Sequence, residues 1–183
     1  MGSSTILLQG DWLPENVFNE YDVNAHGLNA HIRIIDKGDF EPIYEVTIKG
    51  LGEATKALII SLRGELLKMV PIDPTRIEDA DYINELNKRY EQASKILINK
   101  YLPGTSEEVM RILIAYIMNI MLGLGDLEIP LSDDNLEEVV VNNAKEPVWV
   151  FHKQYGWCKT TLTIANEEMI YDYSEQIGRR VGR

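Results

Sequence analysis

The chain has few of the residues that build metal sites and disulfides. Among its 183 residues there is one cysteine, Cys158, which excludes an intramolecular disulfide and a cluster of thiolate ligands for zinc or iron. Its three histidines are His26, His31 and His152, and no two of them have the four-residue spacing of a helical metal site. The composition therefore predicts a protein of a reducing compartment, without a metal of its own.

A phosphate-binding loop of the Walker type is also absent. That loop needs a glycine, four further residues and then Gly-Lys-Ser or Gly-Lys-Thr, and no such run occurs in the chain. The shorter pattern Gly50-Leu51-Gly52 lies between a predicted strand and a predicted helix. However, Thr55 occupies the third glycine position of a dinucleotide fingerprint, and the next two segments are helical. We interpret this pattern as an ordinary strand-to-helix turn.

Basic residues are scarce relative to acidic ones. The chain has 18 lysines and arginines against 29 aspartates and glutamates, a formal net charge of −11 at pH 7. Because Lys and Arg supply the affinity for nucleic acid backbones, we expect no nucleic acid partner. Three of the cations, Arg179, Arg180 and Arg183, lie in the last five positions and form the one concentrated basic patch of the sequence.

The sequence has no long hydrophobic run. Its most apolar stretch, Val109 to Leu122, covers 14 residues and is interrupted by Arg111 and Asn119. A helix that spans a bilayer needs about 20 apolar residues, so this stretch has the length of a buried core helix. The N-terminus also lacks the basic segment followed by an apolar segment that marks a secretory signal.

The chain does contain a pattern of short strands and longer helices. Ile32 and Ile34 alternate with polar residues, as half-buried strands do, and helical spacing begins after Gly52. Helices are predicted at 53–70, 79–101 and 105–122 and after Asn166, and strands within 21–50, at 139–141 and in a hairpin at 148–164. Thr105 precedes Glu108 by three residues, which predicts a capping box at the start of the apolar helix.

This order predicts an α+β fold in two parts, with a joint at Pro103-Gly104. We expect residues 1–103 to form an N-terminal subdomain with a small β element of short strands plus two helices. We expect residues 104–183 to form a second subdomain, in which an apolar helix and a closing helix flank a small antiparallel sheet.

The residues suggest two further interpretations of local chemistry. Cys158 and His152 lie six residues apart across a predicted turn, a spacing that could bring a thiol and a base together, but nothing nearby supplies an oxyanion hole. The acidic pairs Asp133/Asp134 and Glu137/Glu138 are interpreted as helix-start charges on a solvated face. By itself the sequence favours an interaction or positioning module over an enzyme.

From residue 118 onward the order of features is specific enough to suggest a family. It runs through LGLGDLEIPL at 122–131, LEEVVVN at 136–142, KEPVWVFHKQYGW at 145–157 and Lys159-Thr160, and ends with IGRR at 177–180. This order resembles the N-terminal domain of the archaeal secretion ATPases, the hexameric motors of the archaellum, archaeal type IV pili and type II secretion. The resemblance covers about 105–183, and its strongest part is the hairpin with its valines, aromatic residues and Tyr155-Gly156.

The resemblance implies a non-catalytic regulatory and assembly domain. It further implies that the first subdomain is variable and that the closing helix leads to a linker. The Walker A, acidic Walker B and histidine motifs of the family would lie beyond Arg183, so this chain should hold no cofactor, and ATP and Mg²⁺ would bind the parent protein. The implied partners are its own C-terminal motor domain, neighbouring subunits of a homo-hexamer and a membrane platform protein. The implied location is cytoplasmic, at the inner face of the cell membrane through that platform protein.

The resemblance also implies roles for six residues. Arg179, Arg180 and Arg183 are candidates to approach nucleotide phosphates in the full-length hexamer, although a helix C-terminus favours exposed cations in any case. Three aromatic residues of the hairpin are candidates for an interface, with burial in the chain's own core as the alternative: Trp149, Phe151 and Trp157.

Two other functions remain open at this point. The first is a stand-alone adaptor of the same fold, which acts by binding a partner. The second is a small enzyme that uses Cys158 and His152.

Overall fold

The computed structural model describes residues 16–76 and 79–182, except the side chains at 74 and 180. In this part of the chain the fold is α+β, as the sequence predicts. The strands are β1 (Asn16–Ala25), β2 (Leu28–Asp36), β3 (Ile43–Ile48), β4 (Leu136–Val140), β5 (Trp149–His152) and β6 (Gly156–Thr160). The α-helices are α1 (Glu53–Met69), α2 (Ala80–Tyr101), α3 (Glu107–Leu122), α4 (Glu128–Leu131) and α5 (Glu167–Arg180), and 3₁₀ turns occur at Pro74–Arg76 and Gly125–Leu127.

The strands of the described residues form one mixed, curled sheet in the order β1-β2-β3-β6-β5-β4. The antiparallel pair β1–β2 turns at His26 and Gly27, whose φ angles of 47° and 85° suit a tight hairpin turn. Strands β3 and β6 pair in parallel, with Tyr44 opposite Thr160. The two predicted β elements are therefore joined, and the segments 1–103 and 104–183 contribute strands to the same sheet.

The core lies where the buried positions of the strands meet the apolar sides of the helices. Ile32, Ile34 and Tyr44 of the sheet belong to the same hydrophobic cluster as Leu66 of α1 and Ile117 of α3. At about 25 cal/mol per Å² of apolar surface removed from water, this burial is the main term that holds the elements together.

Helix α3 is the predicted apolar helix. Its residues Leu113, Tyr116 and Ile117 are at most 1% exposed. Among the described residues, no single helix is both long and apolar enough to span a membrane. The pair Glu107–Leu122 and Gly125–Leu131 passes that test by length and composition alone, and it is bent by 106°.

The helix ends follow the local sequence, with one correction. Ser106 caps α3 by accepting a hydrogen bond from the backbone N–H of Val109, whereas the hydroxyl of Thr105 donates to the carbonyl of Leu102. The predicted capping role of Thr105 is wrong by one residue, because the chain enters the helix later than the spacing indicates. The predicted N-cap of the last helix is confirmed, since Asn166 accepts from the N–H of Met169 at 2.8 Å.

The curl of the sheet brings the β5–β6 hairpin to β1, although these strands are not neighbours in the sheet. The rings of Phe18 and Tyr155 stack with their centroids 5.9 Å apart. Phe18 lies at the register shift in β1, between Val17 and Asn19, where the strand bulges. The hairpin is therefore held at its turn as well as along β6.

Candidate functional site

The three predicted interface residues lie on the same face of the β5–β6 hairpin. Phe151 is opposite Trp157 in the register, and their rings meet edge to face at 5.3 Å. Trp149 is two pairs further along, opposite Lys159. Trp149 and Phe151 are half-buried, and Trp157 is 42% exposed. We call Trp149, Phe151 and Trp157 the hairpin aromatic face. None of the three belongs to the buried core, so the alternative of core burial is not what the structure has.

The opposite face of the hairpin is buried. Val150 and Cys158 face each other across the strands and are fully inaccessible, and His152 is 3% exposed. Alternation along a strand thus divides the hairpin into an apolar inner face and a partly exposed aromatic outer face. The inner face fixes the position of the hairpin, and the outer face remains available for contact.

A buried carboxylate lies beside the inner face. Asp133, which is 6% exposed, accepts hydrogen bonds at 2.7 Å from the hydroxyls of Tyr21 in β1 and Tyr44 in β3. Asn135 donates to its second oxygen from the backbone at 2.9 Å and from the side chain at 3.0 Å. The interpretation of Asp133 as a solvated helix-start charge is wrong: it precedes β4, whereas Asp134 beside it is exposed.

His152 lies next to this cluster as a neutral base. Burial lowers its pKa, and the charge of Asp133 offsets only part of that effect. The backbone N–H of Gln154 donates to Nδ1 at 3.1 Å, so the proton of the neutral ring lies on Nε2. Within the described residues Nε2 is buried and has no hydrogen-bond partner. The rings of Tyr21 and Tyr155 flank His152 at 6.2 and 4.9 Å.

The environment of Cys158 does not activate a thiol. Burial raises its pKa to about 11, which keeps it protonated at neutral pH, and Sγ lies 3.5 Å from the carbonyl oxygen of Gly156. Cys158 and His152 are not cross-strand partners, because in the register Cys158 is opposite Val150 and His152 is opposite Gly156. Among the described residues, no group of three or more His, Cys, Asp or Glu side chains is placed to hold a metal ion.

The predicted basic patch is only partly described. Arg179 forms an ion pair with Glu175 one turn earlier in α5, with Nη1 and Oε2 3.6 Å apart, and its side chain is about half exposed. Arg183 and the side chain of Arg180 lie outside the described residues. The nucleotide role of these three residues therefore stays a prediction.

The sequence interpretation missed a polar cleft between α1, α3 and the loop at 161–165. The cleft has a volume of about 470 Å³ and is lined by Lys56, Tyr116 and Asp126 among others. Burial raises the pKa of Asp126, and nearby Lys56 partly offsets this shift. Burial and the carboxylate of Asp126 both raise the pKa of Tyr116 above its ordinary value. Asp126 could not be found from the sequence, because it follows a glycine turn, as many surface aspartates do.

Comparison with known proteins yields two archaeal relatives and no family, since no family model matches the chain. Both relatives are from Methanocaldococcus jannaschii. Uncharacterized protein MJ0781 is 48% identical over 46 residues, which is 25% of this chain and 6% of that protein. Uncharacterized protein MJ1288 is 26% identical over 112 residues, 61% of this chain and 41% of that protein. The chain thus spans less than half the length of each relative.

Proposed function

We propose that this chain is the non-catalytic N-terminal regulatory and assembly domain of a hexameric archaeal ATPase that drives protein secretion or the assembly of a pilus or archaellum. The observation that carries the proposal is the hairpin aromatic face. The sequence run 145–157 resembles the secretion ATPases most specifically. It includes β5, the turn of the hairpin and the first two residues of β6, of which Trp157 is partly exposed. The archaeal source of both relatives, and their greater length, also support it.

The packing of the hairpin suits a part that moves as a unit. Val150 and Cys158 anchor its inner face in the core, and Tyr155 stacks on Phe18 at its turn. A motor converts chemistry into motion by shifting rigid elements between discrete positions, and a hairpin fixed on one face transmits such a shift. Partly exposed aromatic side chains at its outer face provide the kind of contact that is enriched at protein interfaces.

In the proposed assembly the domain contacts its own motor domain and the neighbouring subunits of a homo-hexamer. ATP and Mg²⁺ bind the motor domain, and the hexamer acts in the cytoplasm against a membrane platform protein. Arg179 lies on the last turn of α5, from which the chain continues towards that motor domain, and it is the described candidate for approaching nucleotide phosphates.

The first test is the gene itself. We expect the reading frame to continue past codon 183 into a Walker A loop within the length of one domain. If the frame closes at that point, the motor proposal is overturned and the stand-alone adaptor takes its place.

The second test addresses the aromatic face in the full-length protein. Trp157→Ala should lower the fraction of hexamer, measured by light scattering, and lower ATPase activity per subunit in proportion. Ile96→Ala is a matched control, because Ile96 is an exposed apolar residue of α2, far from the hairpin in sequence. If Trp157→Ala leaves assembly and ATPase activity at the level of the control, the aromatic face is not the interface.

A further inference from the structure

Three cavities adjoin one another along helix α1. The first is the polar cleft, and the second, of about 110 Å³, shares Ile60 and Leu162 with it. The third has a volume of about 370 Å³ and shares Arg63 and Met169 with the second. Together they form a groove, which we call the α1 groove, with α1 on one side and the loop at 161–165 and the start of α5 on the other.

The α1 side of the groove carries exposed apolar residues at helical spacing. Ala57, Ile60, Gly64 and Leu67 line it at intervals of three or four residues, so they lie on the same face of the helix. We call these four residues the α1 stripe. Ile60 is 53% exposed and Leu67 is 39% exposed. Exposed apolar residues that are contiguous, unlike scattered ones, are typical of interaction sites.

Gly64 lies in the middle of α1, where glycine lowers helix stability relative to alanine because it loses more backbone freedom on folding. Among the described residues, a Cβ at Gly64 would meet no atom of another element within 4 Å. Packing inside the chain therefore does not require a glycine at this position. The missing side chain does let a second helix approach the backbone of α1 between Ile60 and Leu67.

The opposite wall is acidic at the α5 end. Glu168 is exposed and Asp172 is half-buried, and in the part of the chain that the structure describes neither has an ion-pair partner. Arg63 lines the same cavity, so one guanidinium stands against two carboxylates there. At the other end of the groove, Glu53 is already paired with Lys56 at 2.9 Å. The α5 end therefore favours a cationic partner, and the net charge of −11 disfavours a second copy of this chain.

We propose that the α1 groove binds an amphipathic helix of a partner protein, whose apolar face lies on the α1 stripe and whose Lys or Arg lies beside Glu168 and Asp172. A helix rises 1.5 Å per residue, so the stripe is about 15 Å long and matches about three turns of a bound helix. Helices that bind in grooves present apolar residues at intervals of three and four, as the stripe does. This inference stands apart from the proposed function and does not depend on it.

The test is a titration of the 183-residue chain with a helical peptide of about 14 residues, followed by ¹H–¹⁵N NMR. The peptide has leucines on one face and lysines on the other. One control peptide has glutamates in place of the lysines, and another has the same composition with its leucines spread around the helix. We expect saturable shifts at the amides of 53–67 and 161–172, with binding about tenfold tighter than for either control. No saturable shifts, shifts elsewhere, or equal binding of a control would overturn the proposal.

Variant Gly64→Leu separates binding from stability. It places a side chain in the groove and replaces a poor helix former with a good one, so it should unfold at a higher urea concentration but bind the lysine peptide about tenfold more weakly. Asn84→Leu is the matched control, because it improves an exposed position of α2 outside the groove. Equal peptide affinity in the two variants would overturn the proposal. A dimer of the unsubstituted chain that Gly64→Leu abolishes, measured by sedimentation, would assign the groove to a second copy and would also overturn it.

A charge reversal tests the α5 end and serves if Gly64→Leu does not fold. Glu168→Lys should reduce the preference for the lysine peptide over the glutamate peptide from about tenfold to about onefold. Glu146→Lys changes the net charge by the same amount at an exposed position that does not line the groove, and it should keep most of the preference. An undiminished preference in Glu168→Lys, or an equal reduction in Glu146→Lys, would refute the proposed contact.

Discussion

The hydroxyl of Tyr44 donates a 2.7 Å hydrogen bond to Oδ2 of Asp133, which ties the central strand β3 to the turn before β4. Tyr21 of β1 donates to the same oxygen. One carboxylate therefore joins two strands of the N-terminal segment to the start of the C-terminal strands. This junction and the parallel β3–β6 pairing hold the two segments of the chain in one sheet.

Removing the carboxylate should destabilise the whole fold. Asp133→Ala leaves the buried hydroxyl of Tyr44 and the partly buried hydroxyl of Tyr21 without their acceptor, and we expect the free energy of unfolding to fall by about 3 kcal/mol. Urea denaturation measures this change. Asp134→Ala is the matched control, because Asp134 is exposed and its substitution should cost less than about 0.5 kcal/mol. Similar losses in both variants would contradict a structural role for the Asp133 junction.

The buried imidazole of His152 should make stability depend on pH. Burial lowers its pKa in the folded state, so below about pH 6.5 the unfolded chain takes up a proton that the folded chain resists. Stability should therefore fall as the pH drops from 7.5 to 5.5. In His152→Asn, whose side-chain oxygen can replace Nδ1 as acceptor for Gln154, the fall should be smaller. Urea denaturation at pH 7.5 and 5.5 measures the free energy of unfolding of both proteins. An equal loss in the unsubstituted chain and in His152→Asn would refute the assignment of the pH dependence to His152.

The single thiol should be inert in the folded protein. Cys158 is inaccessible, and its pKa of about 11 lowers the thiolate fraction roughly 100-fold relative to an ordinary cysteine. We expect a thiol reagent to label it at pH 8 only after denaturation. Because the sequence has no other cysteine, the whole signal reports this site. Rapid labelling of the native protein would restore the thiol enzyme as a candidate.

The two faces of the hairpin should differ in their effect on stability. Val150→Ala opens a cavity in the core and should cost about 2 kcal/mol. Trp157→Ala removes a much larger side chain but should cost only about 1 kcal/mol, since Trp157 is partly exposed and loses mainly its contact with Phe151. Thermal or urea unfolding of the isolated chain ranks the two. The reverse order would mean that Trp157 serves the fold and would weaken its assignment to an interface.

Local patterns predicted the helices and most strands, because the periodicity and the capping residues that define such an element lie within a few positions of each other. The helical spacing that begins after Gly52 predicted α1, and Asn166 predicted the start of α5. Trp149 and Phe151 are two residues apart in the predicted hairpin and lie on the same face of β5. The sequence did not reveal whether that face was the inner or the outer one, because residues 148–151 are apolar at every position and such a strand has no polar side.

The sequence by itself determined the α+β class, the order of the elements and the absence of a disulfide and of a Walker loop, because each depends on residue identity and short spacing. Only the tertiary structure decided that β3 pairs with β6, that Asp133 is buried while Asp134 is exposed, and that Asp126 and Arg63 border one cavity. These relationships join residues that are distant in the chain. They depend on how the faces of several elements pack together, and a pattern within one element does not determine that packing.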